Sequence, residues 1–137
     1  MRNTLIDAGP IIALFDKSDG YHEHARSTLK QGDFRLTTTW PVITEASHML
    51  DFDVRAQLGL LQRIYRGGVK IHEIDTNGLH RVITLTEKYR DRPMDLAAAT
   101  LVVAAEDIGI REILSIDSDF PIYRTRTKES IENVFTV

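Results

Sequence analysis

The sequence predicts an α/β protein with a mostly parallel central sheet, and three observations carry that prediction. Short apolar runs suited to buried strands alternate with segments whose apolar residues recur at helical spacing. The intervals between successive strand candidates call for parallel pairing, with helices covering both faces of the sheet. Two of the strand candidates end in an aspartate, Asp7 and Asp117. Open α/β sheets place their ligands outside the carboxyl ends of the strands, where these two acids stand.

The first strand is Thr4-Leu5-Ile6, after which Asp7-Ala8-Gly9-Pro10 turns the chain into the apolar run Ile11–Phe15. Asp16–Gly20 reads as a loop. A helix is predicted from Tyr21 to about Gln31, with His22, Ala25 and Leu29 in register and Gly32 as its stop. Phe34–Thr38 is a second strand, with Phe34 and Leu36 on one face and Arg35 on the other. Trp40-Pro41 opens a helix whose inward stripe is Ile43, Ala46, Met49 and Leu50. Val54, Leu58, Leu61 and Tyr65 mark the next helix, which Gly67-Gly68 ends. Val69–Ile74 is a third strand. Asn77-Gly78 reads as a turn before a helix faced by Leu79, Val82, Ile83, Thr86 and Tyr89. Pro93 precedes an alanine-rich helix from Asp95 to about Ile108, closed by Gly109. Ile113–Ile116 is a fourth strand, and the stretch from Ile131 to Val137 supplies an edge strand.

The 137 residues make one domain, 1–137, large enough for a real core. Cysteine is absent, which excludes disulfide staples and thiolate metal sites and fits a reducing compartment. Met1-Arg2-Asn3 leads straight into the first strand with no signal-peptide pattern, and the apolar runs are too short to span a bilayer. The expected location is cytoplasmic, away from membranes. A net charge of −3 argues against a polyanion binder held by bulk charge. Basic trios at Arg63, Arg66 and Lys70, at Lys88, Arg90 and Arg92, and at Arg124, Arg126 and Lys128 read as solvated helix ends and loops. Gly67-Gly68 lacks the lysine and serine of a phosphate-cradling loop.

Four carboxylates occupy positions that a parallel sheet brings to one edge. Asp7 and Asp117 follow strands; Glu45 lies in the second turn of the helix opened by Pro41; Asp95 starts the alanine-rich helix. Each has a structural reading as well: Asp7 and Asp95 suit helix caps, and Asp117 suits a turn. Glu45 stands between Ile43 and Ala46, where an unpaired buried glutamate is costly. If the four converge, two ionised carboxylates about 5 Å apart repel by about 3 kcal/mol at an effective dielectric near 20. Either some stay protonated or a dication neutralises them. The available ligands are all oxygen, so the ion is hard, Mg²⁺ or Mn²⁺.

At this point the chain resembles the PIN-domain family, and within it the VapC-type toxin ribonucleases, over nearly its full length. The resemblance lies in Leu5-Ile6-Asp7-Ala8-Gly9-Pro10-Ile11-Ile12-Ala13-Leu14, in Asp19 with His22, and in Glu45 after a proline. It continues in Pro93-Met94-Asp95-Leu96-Ala97-Ala98-Ala99-Thr100 and Leu114-Ser115-Ile116-Asp117-Ser118-Asp119-Phe120. It implies a three-layer α/β/α sandwich whose acidic cleft holds Mg²⁺ or Mn²⁺ and cuts RNA. Asp7, Glu45, Asp95 and Asp117 match the family's acidic quartet, and Ser115 and Asp119 match supporting positions. Ala98 stands where the family often has a further aspartate, which weakens a second metal site.

The resulting expectation is hydrolysis of a phosphodiester by metal-bound water, leaving 5′-phosphate and 3′-hydroxyl ends. The ion is held chiefly by Asp7, Asp95 and Asp117, while Glu45 holds a second ion or positions the water. The resemblance also implies a small VapB-like antitoxin, and the helix bearing Leu58, Leu61 and Tyr65 is a candidate surface for it or for a homodimer. The alternatives are a solo PIN nuclease in RNA processing and a non-catalytic PIN-like interaction module. A phosphotransferase of the haloacid-dehalogenase type is discounted, because Gly9 stands where a second acid is needed. His22 reads as a packing residue whose hydrogen bond with Asp19 pins the neighbouring loop. Trp40 reads as core or interface, or as a stacking surface for a base if it borders the cleft.

Overall fold

The structure, a computed structural model, describes residues 1–92 and 94–135. Five strands form one sheet: β1 (Arg2–Ile6), β2 (Phe34–Thr38), β3 (Val69–Ile71), β4 (Glu112–Leu114) and β5 (Glu132–Asn133). Their spatial order is β3-β2-β1-β4-β5, and every neighbouring pair is parallel. Six helices flank the sheet: α1 (Ala8–Phe15), α2 (His22–Gln31), α3 (Trp40–Met49), α4 (Val54–Tyr65), α5 (Thr76–Lys88) and α6 (Leu96–Ile108). The predicted α/β class and parallel sheet are what the structure has. Pro93, and the Thr136-Val137 end of the predicted edge strand, lie outside the described residues.

The centre of the sheet is buried on both faces. Thr4, Leu5 and Ile6 of β1 and Ile113 and Leu114 of β4 have almost no exposed surface. Thr38 at the end of β2 donates its hydroxyl to the Ile6 carbonyl at 2.7 Å, which fixes the two strand ends beside each other. α6 is buried from Ala97 through Ala105 without a break, as befits a helix apolar on all sides. Its alanines permit close packing. Gly109 ends it in the left-handed conformation at φ 71°, and the Ile110 N–H returns to the Ala105 carbonyl. A buried hydroxyl pair, Thr39 with Thr100 at 2.7 Å, ties the start of α3 to α6.

Several predicted elements differ in detail. β3 and β4 are shorter than their apolar runs because their partners end: Ile71 pairs with Thr38, the last residue of β2, and Leu114 pairs with Ile6, the last of β1. Asn77-Gly78 is no turn; it lies in the first turn of α5, whose cap is Asp75 accepting from the Gly78 N–H at 2.8 Å. Glycine serves close packing there, since a Cβ would stand 2.6 Å from Ile74 Cγ2. Met49 is exposed, and Val42 takes its place in the inward face of α3. In α4 the predicted stripe of Val54, Leu58, Leu61 and Tyr65 faces outward; Leu60 is the buried residue, flanked by Ala56 and Ile64. In α5, Val82 and Leu85 are buried while Leu79, Ile83 and Thr86 are exposed.

Candidate active site

The carboxyl ends of the strands and the amino ends of the helices that follow them share one edge of the sheet, and the predicted acids are placed there by that geometry. Asp7 follows β1 directly and caps α1: its Oδ1 accepts the Ala8 N–H at 2.8 Å. Its Oδ2 accepts the Ser115 hydroxyl at 3.0 Å. Ser115 in turn accepts the Asp117 N–H at 2.9 Å, and Asp117 Oδ1 accepts the Asp119 N–H at 2.8 Å. One serine thus joins the two acids that follow the two central strands. Asp95 caps α6, its Oδ1 accepting the Ala98 N–H at 2.7 Å.

Gly9 lets two parts of this arrangement approach closely. A Cβ at that position would lie 2.9 Å from Ile116 Cδ1 and 3.1 Å from its Cβ, so the first turn of α1 packs onto the turn holding Ser115 and Asp117. That turn follows β4, where Ile116, predicted as strand, is partly exposed.

Glu45 departs from the expectation. It lies in the second turn of α3 as predicted but is exposed, because Val42, Ile43 and Ala46 turn inward and leave it on the rim. Its carboxyl is nevertheless held above the usual range, first by partial desolvation and then by the charges of Asp95 and Asp117. Asp7 is pushed up from 3.8 to about 6. Burial is the main cause; Glu45 and Asp117 add to it, while the bonds from Ala8 and Ser115 oppose it. Asp7 therefore feels the charges of Glu45 and Asp117, and Glu45 those of Asp95 and Asp117, across the edge of the sheet.

No ion pair among the described residues neutralises Asp7, Glu45, Asp95 or Asp117. Asp119 differs, with Arg92 3.4 Å away. Among the described residues no three His, Asp or Glu side chains are drawn together tightly enough to cage a metal ion. The donor set still fits a hard dication. It is anionic and all oxygen, and Mg²⁺ keeps most of its waters while taking one or two carboxylates, so an open site suffices.

Two residues that the sequence reading missed support the site. Asn133 on β5 holds the Ser115 backbone from both sides, donating Nδ2 to its carbonyl at 2.9 Å and accepting its N–H at 3.2 Å. No motif marks an asparagine on a two-residue edge strand. Tyr123 is buried near the acids; its hydroxyl is pushed up to about 12 by burial and by the charges of Asp117, Asp119, Asp95 and Asp7. Its ring packs edge-on against Tyr89 and Phe120.

The remaining candidates fall outside the acidic edge or play simpler parts. His22 is half-buried, as predicted, but its ring bonds the Ala13 carbonyl at 2.7 Å through Nδ1; Asp19 meets His22 only through the backbone, its side chain accepting from the Tyr21 N–H. Of the basic trios, Arg63 and Lys88 lie in last helical turns, Arg66 caps α4 and Lys70 lies in β3. Arg90 and Arg92 follow α5, and Arg124, Arg126 and Lys128 lie between β4 and β5. Trp40 is 48% exposed and borders Glu45 and Asp95.

Comparison with known proteins defines the fold. The structure superposes on VapC20 of Mycobacterium tuberculosis, a sarcin-ricin loop cleaving toxin, with a TM-score of 0.77 at 16% identity, covering 85% of this chain and 91% of that one. A toxin-antitoxin complex from Klebsiella pneumoniae gives a TM-score of 0.63 at 17% identity, covering 85% and 89%. No protein-family model and no curated relative matches the sequence. The chain has the PIN-like α/β/α fold of VapC toxins. No helix among the described residues is long and apolar enough to cross a membrane.

Proposed function

We propose that this chain is a Mg²⁺- or Mn²⁺-dependent endoribonuclease and the toxin of a VapBC-type toxin–antitoxin pair. One observation carries the reading: four carboxylates lie at the carboxyl edge of a parallel sheet, none of them ion-paired among the described residues, and Asp7 is pushed up to about 6. Such an arrangement disfavours its own ionised state and gains by binding a dication. The fold, shared with a sarcin-ricin loop cleaving toxin and with a chain of a toxin-antitoxin complex, supports the same conclusion.

Asp7, Asp95 and Asp117 are the residues that would hold the ion, one or two directly and the rest through water, with Ser115 fixing the relative position of the first and third. When bound, the ion would supply an acidified water and offset charge on the scissile phosphate. Glu45, exposed on the rim and with a raised pKa, orients the attacking water and accepts its proton. The water oxygen bonds to phosphorus as the bond to the 3′ oxygen breaks, and the departing 3′ oxygen takes a proton from solvent, which leaves a 5′-phosphate and a 3′-hydroxyl. No step draws on the ribose 2′-hydroxyl. The outward apolar stripe of α4, with Phe52 beside it, fits contact with the antitoxin or a second copy better than it fits bare solvent.

Incubation of the purified chain with RNA and with DNA, in Mg²⁺, Mn²⁺ and EDTA, tests the proposal. Metal-dependent cutting of RNA, abolished in Asp7→Asn, Glu45→Gln and Asp95→Asn, is expected. Products ending in a 2′,3′-cyclic phosphate, or cleavage by Asp7→Asn at the parental rate, refute the assignment.

A further inference from the structure

Beside Glu45 and Asp95 the surface forms a trough walled by Trp40, Pro41 and Leu96. Trp40 is 48% and Leu96 57% exposed, so a large apolar area stays open next to two of the four acids. The backbone that carries the indole is also held in place. Trp40 is the first residue of α3, Pro41 restricts the backbone behind it, and the preceding Thr39 is buried with its hydroxyl bonded to Thr100. A flat ligand landing there has only the side-chain torsions of Trp40 to order, not its backbone.

On the other side of Trp40 and Pro41 the trough continues to His72 and Ile74. His72 also lines a smaller cavity that carries Arg35 and Lys70. Neither cation is ion-paired among the described residues. The path therefore has a metal-competent acidic end, an aromatic middle at Trp40 that Glu73 and Asp75 border on its far side, and a cationic far end. A second copy of the chain pressed onto it would bury Glu45 and Asp95, two acids that already repel, in a dry interface. A strand with neutral flat groups between negative ones matches all three parts.

We propose that Trp40 stacks a nucleobase of single-stranded RNA next to the scissile phosphate, and that the strand runs on toward Lys70 and Arg35. The proposal rests on the ribonuclease reading above. Removing a base–aromatic stack weakens binding by roughly 10- to 100-fold.

Trp40 is the sole tryptophan among four tyrosines, so emission excited to the red of tyrosine absorption reports on this trough alone. Titrating the Asp7→Asn protein in Mg²⁺ with a single-stranded RNA oligonucleotide is expected to quench it saturably, and an oligonucleotide of abasic nucleotides is expected not to. Trp40→Ala is expected to raise KM by roughly 10- to 100-fold with the pH profile of cleavage unchanged, and Trp40→Phe to restore much of the loss. Absence of quenching by RNA, or equal quenching by the abasic strand, overturns the proposal. So does an emission change that follows protein concentration alone, with dimer formation in sedimentation, since a second copy then covers the trough. If the parent cuts RNA and Trp40→Ala cuts it with the same kcat/KM, stacking alone is wrong. If RNA quenches Trp40 but no metal supports cleavage, the nuclease reading fails and the binding site stands.

Discussion

Replacing Asp7 by asparagine is expected to abolish cleavage and, unusually for an active-site change near a core, to stabilise the fold. The carboxyl is pushed up from 3.8 to about 6, with burial as the main cause and Glu45 and Asp117 behind it. Between those two pH values the native chain binds more protons than the unfolded one, so stability falls as pH rises. Below 3.8 both states are protonated and the penalty is absent. Above about 6 it is complete. Two pH units, at 1.36 kcal/mol each, make it about 3 kcal/mol. Asparagine has nearly the same shape and no charge, and its oxygen still accepts the Ala8 N–H that caps α1.

Urea and thermal unfolding, followed by circular dichroism in EDTA at pH 7.5 and again at pH 4, measure the effect. At pH 7.5 the variant is expected to exceed the parent by up to about 3 kcal/mol, about 10 °C in Tm for a chain of this size. At pH 4 most of the advantage disappears. Adding Mg²⁺ at pH 7.5 is expected to raise the parent's Tm and leave the variant's nearly unchanged, because only a native state that binds the ion gains from it. A variant no more stable than the parent at pH 7.5, or equally advantaged at pH 4, shows that Asp7 is not a strained charge.

Three further substitutions separate packing from site geometry. Leu60→Ala should cost 2–5 kcal/mol in urea unfolding, on the order usual for a buried leucine, while Leu58→Ala on the exposed face of α4 should change stability by less than about 0.5 kcal/mol. Gly9→Ala gains roughly 0.5–1 kcal/mol of helix preference but pushes Ile116 by a few tenths of an ångström, so unfolding should change little while cleavage falls as the Ser115–Asp117 turn shifts. Asn133→Ala removes both bonds to the Ser115 backbone and should cost about 1–3 kcal/mol, with a loss of cleavage measurable on the fraction that stays folded.

The punctuation of the fold was legible in the residues. Pro41 at the start of α3, Gly109 in the left-handed region and the alternation of Phe34–Thr38 each act through local backbone physics, and each placed an element boundary correctly. Facing was less legible. α4 carries apolar residues on two sides, and helical spacing finds both Leu58-Leu61-Tyr65 and Ala56-Leu60-Ile64 without saying which one the sheet covers. Strand length escaped for a related reason: Ile116 has strand character, but its partner strand ends at Ile6, and a strand is no longer than what it pairs with. Both failures concern relations between segments, which a reading along one segment does not contain.

The acids illustrate the same point from the other side. Asp7 and Asp95 were open to two readings, helix cap or ligand, and the structure shows that capping does not use up either carboxylate. Asp95 gives one oxygen to the Ala98 N–H, and Asp7 gives one to Ala8 and the other to Ser115, an oxygen that keeps further lone pairs. Capping also fixes each acid at the positive end of a helix, on the edge where strand ends collect. Asp7 and Glu45, each acceptable by local rules, hold their protons more tightly once the sheet buries the first and sets the other acids near both. A cap explains why each aspartate is tolerated where it stands. The raised proton affinity of Asp7, which a solitary capped carboxylate in water would lack, comes first from its burial and then from Glu45 and Asp117, and it is the property a dication would relieve.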